Sequence, residues 1–170
     1  MALIIEEGTA LATAESLCSV AVADTYHINI GNESTWFFLS AAVKEQCLRK
    51  ATAFMSGKYR DRYIGVRRTT TQALDFPRSL MLIKGALSEA YYSDILVPLP
   101  VQHACASLAL RASTATLLAD QKRSKSSVTI GPISTTYDRA SPIAPQYKEI
   151  DAMLAPYLVA GSGAAEMVRI

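Results

Sequence analysis

A mainly α-helical fold, a small helical bundle with a short β-hairpin and an extended C-terminal arm, follows from three observations in this sequence. Apolar residues recur at helical spacing in three long stretches. A serine or a proline (Ser19, Ser40, Pro100) stands at the start of each. After Asp120 the texture changes to the polar basic run "QKRSKSS", and four of the seven prolines follow it.

The first helix fits "SVAVADTYHINIG", with Ser19 as N-cap, Val20, Ala23 and Tyr26 or His27 at helical spacing, and Gly31 as the stop. The stretch before it reads as an extended leader. Trp36, Phe37 and Phe38 are expected to plug the core as a hydrophobic staple. The second helix runs from Ser40 through "AAVKEQCLRKATAFMSGKYRDRY", with Val43, Cys47, Ala51, Phe54 and Met55 on the buried face and Lys44, Glu45 and Arg49 off it. Gly57 lowers helix propensity by about 1 kcal/mol relative to Ala, which predicts a bend or a close neighbour there.

The third helix opens at Pro100 and lines a face with Val101, Ala104, Cys105, Leu108, Ala112 and Leu117. Its small residues permit close helix packing. "GALSEAYYSDILVPLP", upstream of it, offers a short helix or turn. Beyond it, "SVTIGPISTTYD" reads as a short hairpin or a kinked strand. "APQYKEIDAMLAPYL" gives a short amphipathic helix with Tyr147, Ile150, Leu154 and Tyr157 or Leu158 on one stripe. Residues 1–120 are therefore assigned to a helical core domain, and 121–170 to a linker, a short β segment, a C-terminal helix and a docking tail tipped by Met167, Val168 and Ile170.

Composition narrows the function classes. A chain of 170 residues, half of them apolar, buries roughly 70% of its unfolded surface and needs no staples. Cys18, Cys47 and Cys105 are dispersed and odd in number, the pattern of buried thiols rather than a disulfide framework. His27 and His103 stand alone, so no metal site is expected, and each is read as a helix-surface or half-buried side chain. Glu6 and Glu7 replace the positive charge a signal peptide wants, and no apolar run reaches a membrane span's roughly 18 to 20 residues. An intracellular protein without a membrane partner is expected.

No catalytic motif is present. The eight glycines never fall into a phosphate-loop or dinucleotide spacing, and no G-x-S-x-G elbow occurs. Glu149 and Asp151 read as carboxylates on a helix surface. The chain is read as not an enzyme and as needing no cofactor.

The charge pattern is two-ended. Residues 1–43 hold five acids and no Lys or Arg, and residues 44–78 hold nine bases against three acids. Such asymmetry fits a polyanion partner, head-to-tail packing of identical subunits, or ordinary solvated faces. "KYRDRYIGVRRTTTQALDFPRS", residues 58–79, concentrates the question. Arg60, Arg62, Arg67, Arg68 and Arg78 are the candidate residues facing DNA or a neighbouring subunit, and Glu6, Glu7, Glu15 and Asp24 the candidate acidic inter-subunit face. Tyr59, Tyr63 and Phe76, interleaved with the arginines, suit base stacking in a single-strand groove. They equally suit a continued core stripe with the arginines reaching out to water.

The blocks "GTALATAESLCSVAVADTYHINIGN", "KEQCLRKATAFMSGKYRDRYIGVRRTTTQALDFPRS", "PLPVQHACASLALRA", "TIGPISTTYD" and "IDAMLAPYL" cover nearly the whole chain. Together they resemble the DnaT-like single-stranded-DNA-binding family of tailed bacteriophages. Leu17-Cys18, where an aromatic is expected, and Phe76, where Trp is usual, depart from the family pattern as packing variation. The resemblance implies a helical bundle with a C-terminal arm, similar to head-to-tail connector proteins. From it follows the expectation of a virion neck protein, made in the host cytoplasm, that forms a homo-oligomeric ring, a dodecamer, between portal protein and tail-side neck protein. Double-stranded DNA would pass through the lumen without sequence specificity. The two-ended charge, the apolar tail and a net charge of only +2 favour that reading. The alternative is a single-stranded-DNA-binding protein of phage replication.

Overall fold

The computed structural model describes residues 2–86, 88–118, 125–129, 134–137 and 146–159. Among them are five α-helices: α1 Val20–Asn29, α2 Glu33–Phe37, α3 Ala41–Tyr59, α4 Leu99–Thr114 and α5 Lys148–Leu154. Two antiparallel pairs accompany them. β1 (Val66–Arg67) pairs with β2 (Arg78–Ser79), and β3 (Lys125–Thr129) with β4 (Ser134–Tyr137) in the register Thr129 to Ser134. The mainly α bundle with a short hairpin is what the periodicity predicts. No helix among the described residues is long and apolar enough to cross a membrane.

The long helices start where their caps dictate. Ser19 Oγ accepts from the Val22 amide at 3.1 Å, and Ser40 Oγ from the Val43 amide at 3.4 Å. Pro98 precedes α4, and Pro100 sits in its first turn, where a missing N–H costs nothing. α3 and α4 run against each other, and α1 and α5 both lie against α4. Ala51, Ala104, Ala106 and Ala109 are fully buried, and small side chains of this kind let the helix backbones approach. Ile150, Leu154, Tyr157 and Leu158 close the same core from the C-terminal side.

Several side chains depart from the expected pattern. Trp36 is fully buried, but Phe37 and Phe38 are exposed, Phe38 by 88%. α2 is five residues long, and so short a helix turns only one of its three successive aromatics inward. Lys44, expected outside, is buried because its Nζ meets Asp24 Oδ1 at 2.8 Å and lies 4.4 Å from the Phe37 ring centroid. Val43 is correspondingly exposed. Among the described residues nothing lies within 4 Å of where a Cβ at Gly57 would stand, and α3 continues through it, so none of them is the expected close neighbour.

His27 is buried rather than at the surface. It stacks 4.6 Å from Trp36, its Nε2 is 3.1 Å from the Ala106 carbonyl, and burial lowers its pKa. Burial likewise pushes the Cys105 thiol up to about 11, and all three cysteines are free and buried.

Between α3 and α4 the chain forms an elbow. A 3-10 turn, Arg60–Arg62, ends the helix, and β1, a polar turn and β2 follow. Gly65, at φ +70°, passes so near the Ser79 carbonyl that a Cβ would sit 2.4 Å from it. The guanidinium of Arg78 fills the inside of the elbow. Nε donates to the Ile64 carbonyl at 2.9 Å, Nη2 to those of Tyr63 at 3.2 Å and Gly65 at 2.7 Å, and Nη1 to that of Asp75 at 3.4 Å. Gln72, also buried, donates to the Leu74 and Pro77 carbonyls at 2.9 and 3.0 Å. These two side chains satisfy backbone that the two-residue strands cannot.

Two stability predictions follow from this packing. Arg78→Ala is expected to lower the denaturant midpoint by the equivalent of about 3 kcal/mol or more, since hydrogen bonds to a charged group contribute roughly 1.5–3 kcal/mol each. A change below about 0.5 kcal/mol, typical of a surface site, would show that the elbow does not need its arginine. At α2, Phe38→Ser is expected to stay within about 0.5 kcal/mol, whereas Trp36→Ala costs about 3–5 kcal/mol. Equal costs in the same unfolding assay would contradict the assignment of Trp36 as the only inward aromatic of the three.

Candidate nucleic-acid interface

The five arginines of residues 58–79 divide by surroundings. Arg78 is buried and spent on backbone carbonyls, which corrects the expectation that it faces DNA or a neighbour. Burial lowers its pKa, opposed by Asp75 and Tyr63. Arg67 is half-buried and its Nη2 donates to the Gln72 carbonyl inside the turn. Arg68 is exposed and its Nη1 donates to the Gly8 carbonyl at 2.8 Å, tying the leader to the elbow. Arg60 is half in solvent, with Nε 2.9 Å from Oδ1 of the buried Asp75. Arg62 is exposed, and its side chain makes no hydrogen bond or ion pair among the described residues.

The interleaved aromatics are not available for stacking on bases. Tyr59, Tyr63 and Phe76 are buried, with Tyr63 and Phe76 edge to face at 4.9 Å. The tyrosines continue the core stripe of α3.

The expected acidic face is largely consumed within the chain. Glu6 is buried; its carboxylate accepts from the amides of Gly8 at 2.8 Å, Ala10 at 3.0 Å and Leu11 at 2.7 Å. Glu6 therefore shapes the leader loop and faces no neighbour. Glu15 pairs with Arg49 at 2.8 Å, which with the Ile4 amide lowers its pKa. Asp24 accepts from Lys44 and from Trp36 Nε1 at 2.6 Å. Of the four acids, Glu7 alone is exposed and unpaired among the described residues. Met167, Val168 and Ile170, the expected docking tail, lie outside the described residues.

A cationic cleft of about 560 Å³ opens where α3 ends. Lys58 on the last turn of α3 and Arg62 on the 3-10 turn form one wall, and Lys84 another. Lys84 stands at the tip of a hairpin-like loop in which the Ile83 amide donates to the Ala90 carbonyl at 2.8 Å and the Tyr92 amide to the Met81 carbonyl at 2.9 Å. The floor comes from α5 and the strand-like segment after it. There the Val159 amide donates to the Arg62 carbonyl at 2.7 Å, the Ile64 amide to the Tyr157 carbonyl at 2.9 Å, and Lys84 Nζ to the Leu158 carbonyl at 3.0 Å. Tyr92 packs on Tyr157 with centroids 5.0 Å apart; burial, then Tyr92, pushes the Tyr157 hydroxyl up to about 12.

Three elements far apart in sequence thus enclose one concavity that holds Lys58, Arg62 and Lys84 and, among the described residues, a single acid, Asp151. Of these, Arg62 alone stands in the expected set. Lys84 sits outside the basic run, and Asp151 reads in the sequence as an ordinary helix-surface carboxylate. A lysine followed by Gly85 was the available signal for a loop tip. A second concavity, between the middle of α3 and the end of α4, is mostly apolar and has Lys50 as the sole charged residue among the described ones that line it. Among the described residues no group of three or more His, Cys, Asp or Glu could hold a metal ion.

No curated protein and no solved structure matches the chain. A family model described as "Putative DnaT-like ssDNA binding protein" matches residues 1–170. That finding overturns the expected head-to-tail adaptor, with its virion ring, portal and neck partners and double-stranded DNA in a lumen. The family is one of single-stranded-DNA binding, and no connector protein is among the matches. Over its whole length, this chain belongs to the DnaT-like single-stranded-DNA-binding family.

Proposed function

We propose that the protein is a non-enzymatic single-stranded-DNA-binding protein whose phosphate contacts are made in the cleft between α3, the loop carrying Lys84 and the segment after α5. The observation that carries this reading is the excess of positive charge there, three bases against one acid among the described lining residues. Among the described residues the Arg62 side chain makes no hydrogen bond or ion pair and Lys84 meets only a backbone carbonyl, so neither is held by a carboxylate in this concavity. The region 58–84 holds seven bases against two acids, and with Arg78 spent inside the elbow the remaining excess still attracts a polyanion to a chain whose overall charge is only +2.

The buried aromatics set the character of the binding. With Tyr59, Tyr63 and Phe76 in the core, stacking of roughly 1 to 3 kcal/mol per base is unavailable from this segment. Contacts are then dominated by phosphate, tolerant of sequence and steeply dependent on salt.

For the native chain, log K against log salt on an oligothymidylate is expected to fall by roughly 0.7 per phosphate neutralised. Arg62→Ala with Lys84→Ala should flatten that slope by about 1.4 and weaken binding roughly 25-fold at about 0.1 M salt. Native-like binding by the double variant, or no salt-dependent binding by the native chain, contradicts the proposal.

A further inference from the structure

Asp151 stands in the cationic cleft where an anion would be bound. Lys58 Nζ is 3.0 Å from its Oδ1, and the Tyr59 hydroxyl donates to the same oxygen at 2.6 Å. Arg62 lies close enough to act on it electrostatically. Burial raises the Asp151 pKa, yet Tyr59, Lys58 and Arg62 together outweigh burial and hold it below the ordinary carboxylate value. A hydroxyl donor and an ammonium on one oxyanion, with a guanidinium nearby, is the kind of surrounding that phosphate recognition uses. Here the chain supplies the oxyanion itself.

We infer that the Asp151 carboxylate is a built-in surrogate for a DNA phosphate, held by the buried Tyr59 hydroxyl, occupying the Lys58 ammonium in the free protein and competing with the strand for it. This rests on the cleft being the DNA site. Binding of a phosphate at Lys58 requires the ammonium to leave Asp151, and the carboxylate left behind repels the strand. Both effects weaken binding, so the carboxylate limits affinity. The pair is also half-open to solvent, with 22% of the Lys58 and 39% of the Asp151 side chain exposed, so an incoming phosphate has a path to it.

The test is oligothymidylate binding across a salt series, with folding checked by the fluorescence of the buried Trp36. Asp151→Asn keeps an oxygen for the Tyr59 hydroxyl and removes the charge, and Asp151→Ser does the same with a smaller side chain. Each is expected to bind roughly fivefold tighter at about 0.1 M salt, with a slope steeper by about 0.7, one additional phosphate. In a Lys58→Gln background the same substitutions should give a smaller gain, from relief of repulsion alone, with no steepening of the slope, and Glu33→Gln, on α2, should leave affinity and slope at native values. Unchanged or weaker binding by both Asp151 variants overturns the surrogate role, as does a gain in affinity and slope that is undiminished by Lys58→Gln. If Arg62→Ala with Lys84→Ala still weakens binding roughly 25-fold in that case, the cleft assignment stands without it. Absence of salt-dependent binding by the native chain sinks both.

Discussion

The guanidinium of Arg78 underlies everything that follows α3. Its bonds to the carbonyls of Tyr63, Ile64, Gly65 and Asp75 hold together a segment whose own strands are two residues long. A buried charge is costly unless its hydrogen-bonding capacity is met, and here it is met by carbonyls that would otherwise be unpaired. With the elbow fixed, Tyr63 and Phe76 stay in the core, the 3-10 turn leaves Arg62 in solvent, and the backbone of Arg62 and Ile64 is presented to Val159 and Tyr157. The cleft exists because one arginine of the basic run is spent on structure.

Charge segregation along the sequence turns out to be mostly a folding device. Glu15 and Asp24, from the acidic first quarter, meet Arg49 and Lys44 of α3, and Arg60 covers Asp75. Pairing of this kind removes the acidic face that a ring of identical subunits would use. It leaves an excess of positive charge at one end of α3. That excess accords with a family of single-stranded-DNA-binding proteins.

Much of the fold was legible because it rests on local signals. Ser19, Ser40 and Pro100 mark helix starts through cap chemistry, and the stripe of Cys47, Ala51, Phe54 and Met55 is a matter of period. The misreadings lie where a tertiary partner decides. Lys44 goes inside because Asp24 and two aromatic rings receive its amine, and Arg78 because four carbonyls do. Glu6 is buried because three amides of its own loop converge on it. The site was less legible still. Periodicity cannot reveal that Lys84, Arg62 and Asp151 meet, since their approach depends on the loop from Met81 to Tyr92 and the segment after α5 both folding onto the end of α3.

The central claim is that this cleft, and no other surface, receives the strand. Backbone-amide chemical-shift mapping during titration with a short oligothymidylate tests it most directly. The account predicts that Arg62, Lys84, Leu158 and Val159 shift while Glu33–Phe37 and Leu99–Thr114 remain in place. Shifts centred on the exposed Phe37 and Phe38, with the residues of the cleft unmoved, would contradict it.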